Sequence, residues 1–298
     1  MKEKNLGLLR WAGGKTQDLP RLRYLFPANF NNYLEPFVGG GAVFFFLRSC
    51  GYNKKAILND SNEELIATYQ NLRDNPRQIF HALKQIESRS EGREEALYYE
   101  TRDDFNKHLS SRTVSQAARF LALNKNNFNG LYRVNRKGFF NAPWGRCAPF
   151  RRPSKARLLQ VSSALQNTQL LSMDFEACLH QYAKPGDFVY LDPPYCTQGD
   201  TSDFTAYSKA GFTGFDQVRL RDAMHTAHKS GVQLLQSNAN TETTQRLYNG
   251  GWCDIWVGAE PTRRAIGPTA EGRHTVHDLI IAARYMTIGQ FLFRRIDY

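Results

Sequence analysis

The sequence predicts an α/β protein: a mostly parallel sheet with an antiparallel edge, interrupted by a small helical insert. Three observations lead there. Phe188-Val189-Tyr190-Leu191 is an apolar run stopped by Asp192-Pro193-Pro194, the pattern of a strand buried on both faces, with the prolines ending it. Asn32 to Asn59 reads as strand, glycine turn, apolar helix and strand, one unit of a parallel sheet. From Asn75-Pro76 to Asn124 the apolar spacing is helical throughout, and α/β alternation returns only at Gln169.

In order, the chain opens with a turn, Trp11 to Lys15, and a helix bearing Leu19, Leu22, Leu25 and Phe26 at helical spacing. Gly14-Lys15-Thr16 matches the end of a phosphate-binding loop, but Leu9 stands where its first glycine belongs, which argues against a nucleoside triphosphate. Gly39-Gly40-Gly41 follows the first strand and precedes the helix Ala42 to Leu47; glycines there let a ligand approach the backbone and the helix amides. Phe44 replaces the third glycine of a dinucleotide fingerprint. The second strand, Ala56 to Asn59, ends at Asp60, 19 residues after Gly41, where an acid commonly takes ribose hydroxyls.

Ser61 and Glu64 have the spacing of a capping box for a helix to Arg73. Asn75-Pro76 then breaks the chain, so the insert is placed at 75–167, with 1–74 and 168–298 as the α/β domain. Helices are expected at Gln78 to Glu87, Glu94 to Leu109 and Ser115 to Asn124, and a β-hairpin at Tyr132 to Phe140 around Lys137-Gly138. Beyond the strand Gln169 to Ser172, Asp174-Phe175 has the form of a strand-to-helix N-cap. A polar loop, Thr197 to Asp216, follows the central strand and is long enough to act as a lid. The helix Gln217 to Lys229, the strand Val232 to Leu235 and a strand pair, Asp254 to Val257 with Asp278 to Ala283, complete the sheet. Arg263-Arg264 through Arg273 reads as a basic hairpin.

Leu6-Gly7-Leu8-Leu9 is too short for a signal peptide and no run approaches a membrane span, so a cytoplasmic protein is expected. The cysteines Cys50, Cys147, Cys178, Cys196 and Cys253 contain no C-x-x-C pair, which fits a reducing compartment. Two His-x-x-His pairs, His225 with His228 and His274 with His277, lack a further ligand at metal spacing, so no metal is expected. Nothing in the sequence calls for an oligomer; a monomer is expected.

The net charge of +11 is concentrated: from Phe105 to Met173 there is no Asp or Glu, and 12 of the 39 Lys and Arg fall there, leaving 27 against 28 acids elsewhere. Solubility needs no such segregation; a polyanionic partner accounts for it. Within this stretch Asn124 to Arg146 interleaves Asn, Arg and aromatic residues. Asn and Arg pair bidentately with purine edges and aromatics wedge into base stacks, although a loop held by its own asparagines has the same composition.

The motif Asp192-Pro193-Pro194-Tyr195 suits activation of a weakly nucleophilic amine. A carboxylate and the Pro193 carbonyl can each accept a hydrogen bond from an NH2 group, while Tyr195 offers a face for a ring. With Glu35-Pro36-Phe37-Val38-Gly39-Gly40-Gly41 and Arg10-Trp11-Ala12-Gly13-Gly14-Lys15, this motif resembles the Dam-type adenine methyltransferases of DNA over nearly the whole chain. The resemblance implies a Rossmann-like methyltransferase sheet, S-adenosyl-L-methionine as cofactor and double-stranded DNA as partner. It makes Asp192, Pro193, Pro194 and Tyr195 catalytic. To the cofactor it assigns Trp11, Lys15, Glu35, Phe37, Gly39, Gly41, Asp60, Asp174, Phe175 and Asp192. DNA contacts are assigned to Arg10, Lys125, Phe128, Asn129, Leu131, Arg133, Lys137, Asn141, Pro143 and Arg146, with Phe128-Asn129 filling the space of a flipped adenine. Phe128 stands where the family usually has Tyr, and Lys125 where it has Arg. Cytosine 4-amino methylation, glutamine methylation of proteins and a catalytically dead DNA-binding regulator remain alternatives.

Overall fold

The computed structural model describes residues 7–195, 212–258, 262–263, 275–276, 278–283 and 293–295. Its first half runs α1 (Leu19–Leu22), β1 (Tyr33–Glu35), α2 (Ala42–Ser49), β2 (Ala56–Asn59), α3 (Glu63–Asp74), α4 (Pro76–Glu87), α5 (Glu94–Lys107) and α6 (Val114–Asn126). The remainder runs α7 (Lys155–Ala164), β3 (Thr168–Leu171), α8 (Phe175–Tyr182), β4 (Phe188–Leu191), α9 (Gly214–Lys229), β5 (Gln233–Ala239), α10 (Glu242–Tyr248), β6 (Cys253–Gly258), β7 (Thr262–Arg263), β8 (Thr275–Val276), β9 (Asp278–Ala283) and β10 (Phe293–Arg295). The elements fall into two compact units. One comprises Met1–Thr16, Gly39–Asn53 and Asn62–Ser172, the other Gln17–Val38, Lys54–Ser61 and Met173–Tyr298.

The second unit holds the sheet, in which seven of its strands lie in the order β10-β6-β9-β5-β4-β1-β2. β1 is parallel to β2 and to β4, and β4 is parallel to β5, with Leu34 beside both Ile57 and Val189. Phe188, Val189, Tyr190 and Leu191 are all buried, as are all residues of β1 and β2, the burial expected of strands in a parallel sheet. β9 joins β5 antiparallel, and β6 and β10 extend that edge antiparallel in turn. The chain steps from β1 to β2 in one direction and from β4 to β5 in the other. The order therefore reverses between β1 and β4, and open α/β sheets bind ligands at the carboxyl ends of strands at such a reversal.

The first unit is helical, and the stretch 75–167 that the sequence sets apart as an insert lies in it together with α2 and α3. α6 packs against α3, α4 and α5. Its Ala117, Ala118, Leu121 and Ala122 are buried, and the small residues let the surrounding helices approach closely.

Several local expectations change. The cap of α3 is Asn62, whose side chain accepts from Leu65 N, not Ser61. Glu64 is drawn instead to the backbone amide of Ser110 and to Gln116 Nε2, a tertiary pairing that outweighs a local capping box. The helix expected to bear Leu19 through Phe26 is one α-turn followed by a 3-10 turn, Arg23–Leu25. α7 and α10 were not read from the sequence. The hairpin turn closes from Gly138 N to Asn135 O, one step before Lys137-Gly138.

Candidate functional site

At the carboxyl edge of the sheet, β4 delivers Asp192, half-buried, followed by a buried Pro193, an exposed Pro194 and a half-buried Tyr195. Across the order reversal, β1 delivers Glu35, buried and accepting the Tyr33 hydroxyl at 2.8 Å, then Pro36 and the half-buried Phe37. β2 delivers Asn59 and Asp60. Asn59 fixes this edge: its amide nitrogen donates to Pro36 O and Met173 O at 3.0 Å, and its oxygen accepts from Met173 N at 3.0 Å. Val38 N donates to Asn59 O at 2.9 Å. Sequence reasoning missed Asn59. The available signal is a polar residue closing an apolar strand, immediately before Asp60.

Asp174 is the N-cap of α8: Oδ1 accepts from Glu176 N and Ala177 N, and from the Arg219 guanidinium at 2.7 Å. Three carboxylates, Asp174, Glu176 and Asp216, surround that guanidinium, and its hydrogen bonds to them hold its proton still more firmly than usual despite partial burial. Beside Asp174, Phe37, Phe175 and Phe212 form a cluster with ring centroids 5.3 to 5.7 Å apart, and Arg219 lies 4.8 Å over Phe175. The second unit thus brings Glu35, Phe37, Asp60, Asp174, Phe175 and Asp192 to strand and helix ends, with acids and rings interleaved.

In the first unit the glycine turn serves the protein's own side chains. A Cβ on Gly39 would lie 2.6 Å from Trp11 Cδ1, and one on Gly41 would lie 3.0 Å from Phe45. Trp11 in turn stacks on Tyr132, with centroids 5.5 Å apart and planes 19° apart. Lys15 is buried and donates to Gly13 O at 2.9 Å. Asn124 pins the segment before Trp11: its oxygen accepts from Arg10 N at 3.0 Å and its nitrogen donates to Arg10 O at 2.8 Å. The Arg10 side chain is exposed.

The same side-chain clamp recurs through the Asn-rich region. Asn126 bonds both Arg151 N and Arg151 O at 2.8 Å, and Asn106 bonds both Phe140 N and Phe140 O. Asn127, buried, donates to Leu131 O at 2.8 Å. These asparagines hold backbone rather than presenting amides outward. Lys125 is similarly occupied, its ammonium on Leu8 O; burial, then the charges of Arg10 and Arg157, push it down to about 8.

What the first unit leaves outward is the loop 128–146. Phe128, Val134 and Phe139 are 48%, 43% and 42% exposed, and Arg133, Arg136, Lys137, Pro143 and Arg146 are exposed as well. Leu131 and Asn141 are half-buried, and so is Asn129, which adopts φ 55°. The arms of the hairpin meet at Val134 and Phe140.

Among the described residues no cluster of His, Cys, Asp and Glu could hold a metal, and no helix is long and apolar enough to cross a membrane. His225 and His228 both lie against the Trp252 ring. Cys196, most of the expected loop at 197–216, the pair His274 and His277, and most of the basic stretch 263–273 lie outside the described residues.

A family model described as D12 class N6 adenine-specific DNA methyltransferase matches residues 11–260. Over 253 residues the chain is 39% identical to the type II methyltransferase M.MjaIII of Methanocaldococcus jannaschii, covering 81% of this chain and 87% of that one. It is 36% identical over 274 residues to the type II methyltransferase M1.LlaDCHI of Lactococcus lactis subsp. cremoris, covering 91% and 93%. The DNA adenine methylase of Escherichia coli K12 is 30% identical over 280 residues, covering 93% and 95%.

Proposed function

The chain belongs to the D12 class of N6 adenine-specific DNA methyltransferases, and on that premise we propose that it moves a methyl group from S-adenosyl-L-methionine to the 6-amino group of adenine within the duplex sequence GATC. Membership separates it from the cytosine 4-amino enzymes and the protein glutamine methyltransferases that its motif alone left open. The observation that supports the mechanism is the position of Asp192-Pro193 at the end of β4, beside the reversal of strand order.

S-adenosylmethionine would be held through its hydroxyl and amino groups by Glu35 and Asp60, and through its adenine by Phe37 and the pair Asp174-Phe175. The fit rests on the interleaved acids and rings at those strand and helix ends, with Phe37 and Phe175 centroids 5.3 Å apart. When bound, it supplies a methyl group on a positively charged sulfur. The assignments of Trp11, Lys15, Gly39 and Gly41 to the same ligand rest on the resemblance.

The target amine lies inside the duplex, so the base is flipped out before it is reached. Asp192 and the Pro193 carbonyl each accept one N–H of the amine, which orients its lone pair out of conjugation with the ring. Tyr195 stacks on the base. Proximity and orientation supply most of the rate. Phe128 fills the gap in the stack, and the exposed cations of 133–146 meet phosphates and base edges. Labelled methyl transfer to duplex DNA, followed by nucleoside analysis and sequencing of modified positions, tests the reading. N6-methyladenine confined to GATC is expected; label in cytosine, label at other adenines or no transfer would overturn it.

A further inference from the structure

We propose that Asn141 is a positioning residue for Arg133, holding its guanidinium so that one fork is left to read a guanine. The inference rests on the proposed reading of this loop as the DNA-recognising surface.

Arg133 and Asn141 face each other across the hairpin and share three hydrogen bonds. Asn141 N donates to Arg133 O at 2.9 Å; Arg133 Nε donates to Asn141 Oδ1 and Arg133 Nη2 to Asn141 O, both at 2.8 Å. The anchor is itself fixed from both sides. Phe140, before Asn141, is clamped at N and O by Asn106 of α5, and Ala142, after it, accepts the Tyr98 hydroxyl at 2.8 Å. An exposed arginine normally samples many rotamers; this one is tied at two nitrogens to a residue that is held in place.

The geometry also selects which edge is presented. A guanidinium has five N–H donors, and the side-on pair, Nε with Nη2, is taken by Asn141. Three donors remain: both on Nη1 and one on Nη2. Nη1 and Nη2 form the end-on fork, which can donate two parallel bonds to the O6 and N7 acceptors of guanine in the major groove. A phosphate contact would not need this arrangement, because a point charge on a flexible stem serves as well.

The test is the methylation rate on every single-base variant of the site, for the parent enzyme, Arg133→Ala, Asn141→Ala, Asn141→Asp and the double variant Arg133→Ala/Asn141→Ala. Arg133→Ala should lose a discrimination of about 5- to 150-fold at one guanine. Asn141→Ala should lose much of the same discrimination at the same base, and the double variant should lose no more than Arg133→Ala alone. Asn141→Asp keeps an acceptor for Nε, so although its added negative charge should slow methylation of every site variant, the ratios between site variants should stay those of the parent. Uniform slowing of all site variants by Asn141→Ala, loss at a different base, or additive losses in the double variant would each overturn the positioning role while leaving Arg133 as the reader. If Arg133→Ala itself leaves the shape of the profile unchanged, or the parent methylates no duplex, the underlying reading fails and the inference falls with it.

Discussion

Gly39→Ala isolates the packing that ties the glycine turn to the recognition loop. Gly39 has φ +44°, and its added Cβ would lie 2.6, 2.9 and 3.3 Å from Trp11 Cδ1, Nε1 and Cγ, the first two closer than real Cβ atoms approach. Trp11 cannot simply retreat, because its ring is stacked on Tyr132 at 5.5 Å and lies 6.5 Å from Phe120. Two costs follow. Left-handed backbone at Ala costs roughly 1–2 kcal/mol, and breaking the aromatic stack costs roughly 0.5–1.5 kcal/mol. Gly51→Ala separates them: φ there is +91° and nothing lies within 4 Å of the added Cβ, so only the first cost applies. Urea unfolding followed by tryptophan fluorescence should therefore place Gly39→Ala about 1 kcal/mol below Gly51→Ala, the strength of such a stack. Trp11→Leu in the Gly39→Ala background should remove the difference, as a coupling between touching residues. Midpoints for Gly39→Ala and Gly51→Ala that agree within about 0.3 kcal/mol, near the noise of such comparisons, would refute the claim that Trp11 fills the glycine's space.

Asp192→Ala should abolish methyl transfer while DNA affinity stays nearly intact; a rate within about tenfold of the parent, or roughly 1.4 kcal/mol, would sink the amine-orienting role. Replacing the exposed Arg136, Lys137, Arg146 and Arg151 by Gln should flatten the salt dependence of DNA binding by about 0.9 in log–log slope for each phosphate no longer neutralised, and an unchanged slope removes these residues from the interface. Lys125, pushed down to about 8 by burial from its ordinary 10.5, binds fewer protons folded than unfolded across that window. Its contribution to stability therefore rises with pH from about 8 to 10.5 and is constant below. Lys125→Met should lose that rise in urea midpoints measured across the window; equal slopes in the two proteins would mean that the amine is not buried.

The sheet was legible because a parallel strand needs only its own composition: β4 is an apolar run, and the short β1 and β2 are apolar up to a polar last residue, each strand being followed by Pro or Asp. The helices α4, α5 and α6 followed from spacing alone. α7 had the same signals, with Ser154 capping Arg157 N and Leu158 and Val161 buried, but its cations were read only as charge. Elsewhere the misreadings share a cause. Glu64 sits where a capping box wants it, yet its partners Ser110 and Gln116 are distant in sequence, and no local rule sees them. At the site, strand ends were predictable and side-chain partners were not: Arg219 on Asp174 and Trp11 over Gly39 depend on packing between segments far apart in the chain.

The asparagines show why composition alone misjudges an interface. An Asn amide carries one acceptor and one NH2 donor, which match a peptide group as well as they match the N6/N7 edge of adenine. Sequence cannot choose between those partners; the fold does, and even the half-buried Asn106 and the exposed Asn135 are spent on backbone. Asn124, Asn126 and Asn127 are buried and hold backbone, whereas Asn129 and Asn141 stay half-exposed. The cations divide in the same way. Lys125 and Arg157 donate to the carbonyls of Leu8 and Gly7, and Arg152 pairs with Glu87, so the acid-free stretch offers a partner fewer charges than its count suggests. The exposed cations near the hairpin are Arg133, Arg136, Lys137 and Arg146, beside the exposed Phe128, Val134 and Phe139. Clamped asparagines fix the backbone beneath that surface, so its cations and apolar side chains meet a duplex with less ordering left to be done on binding.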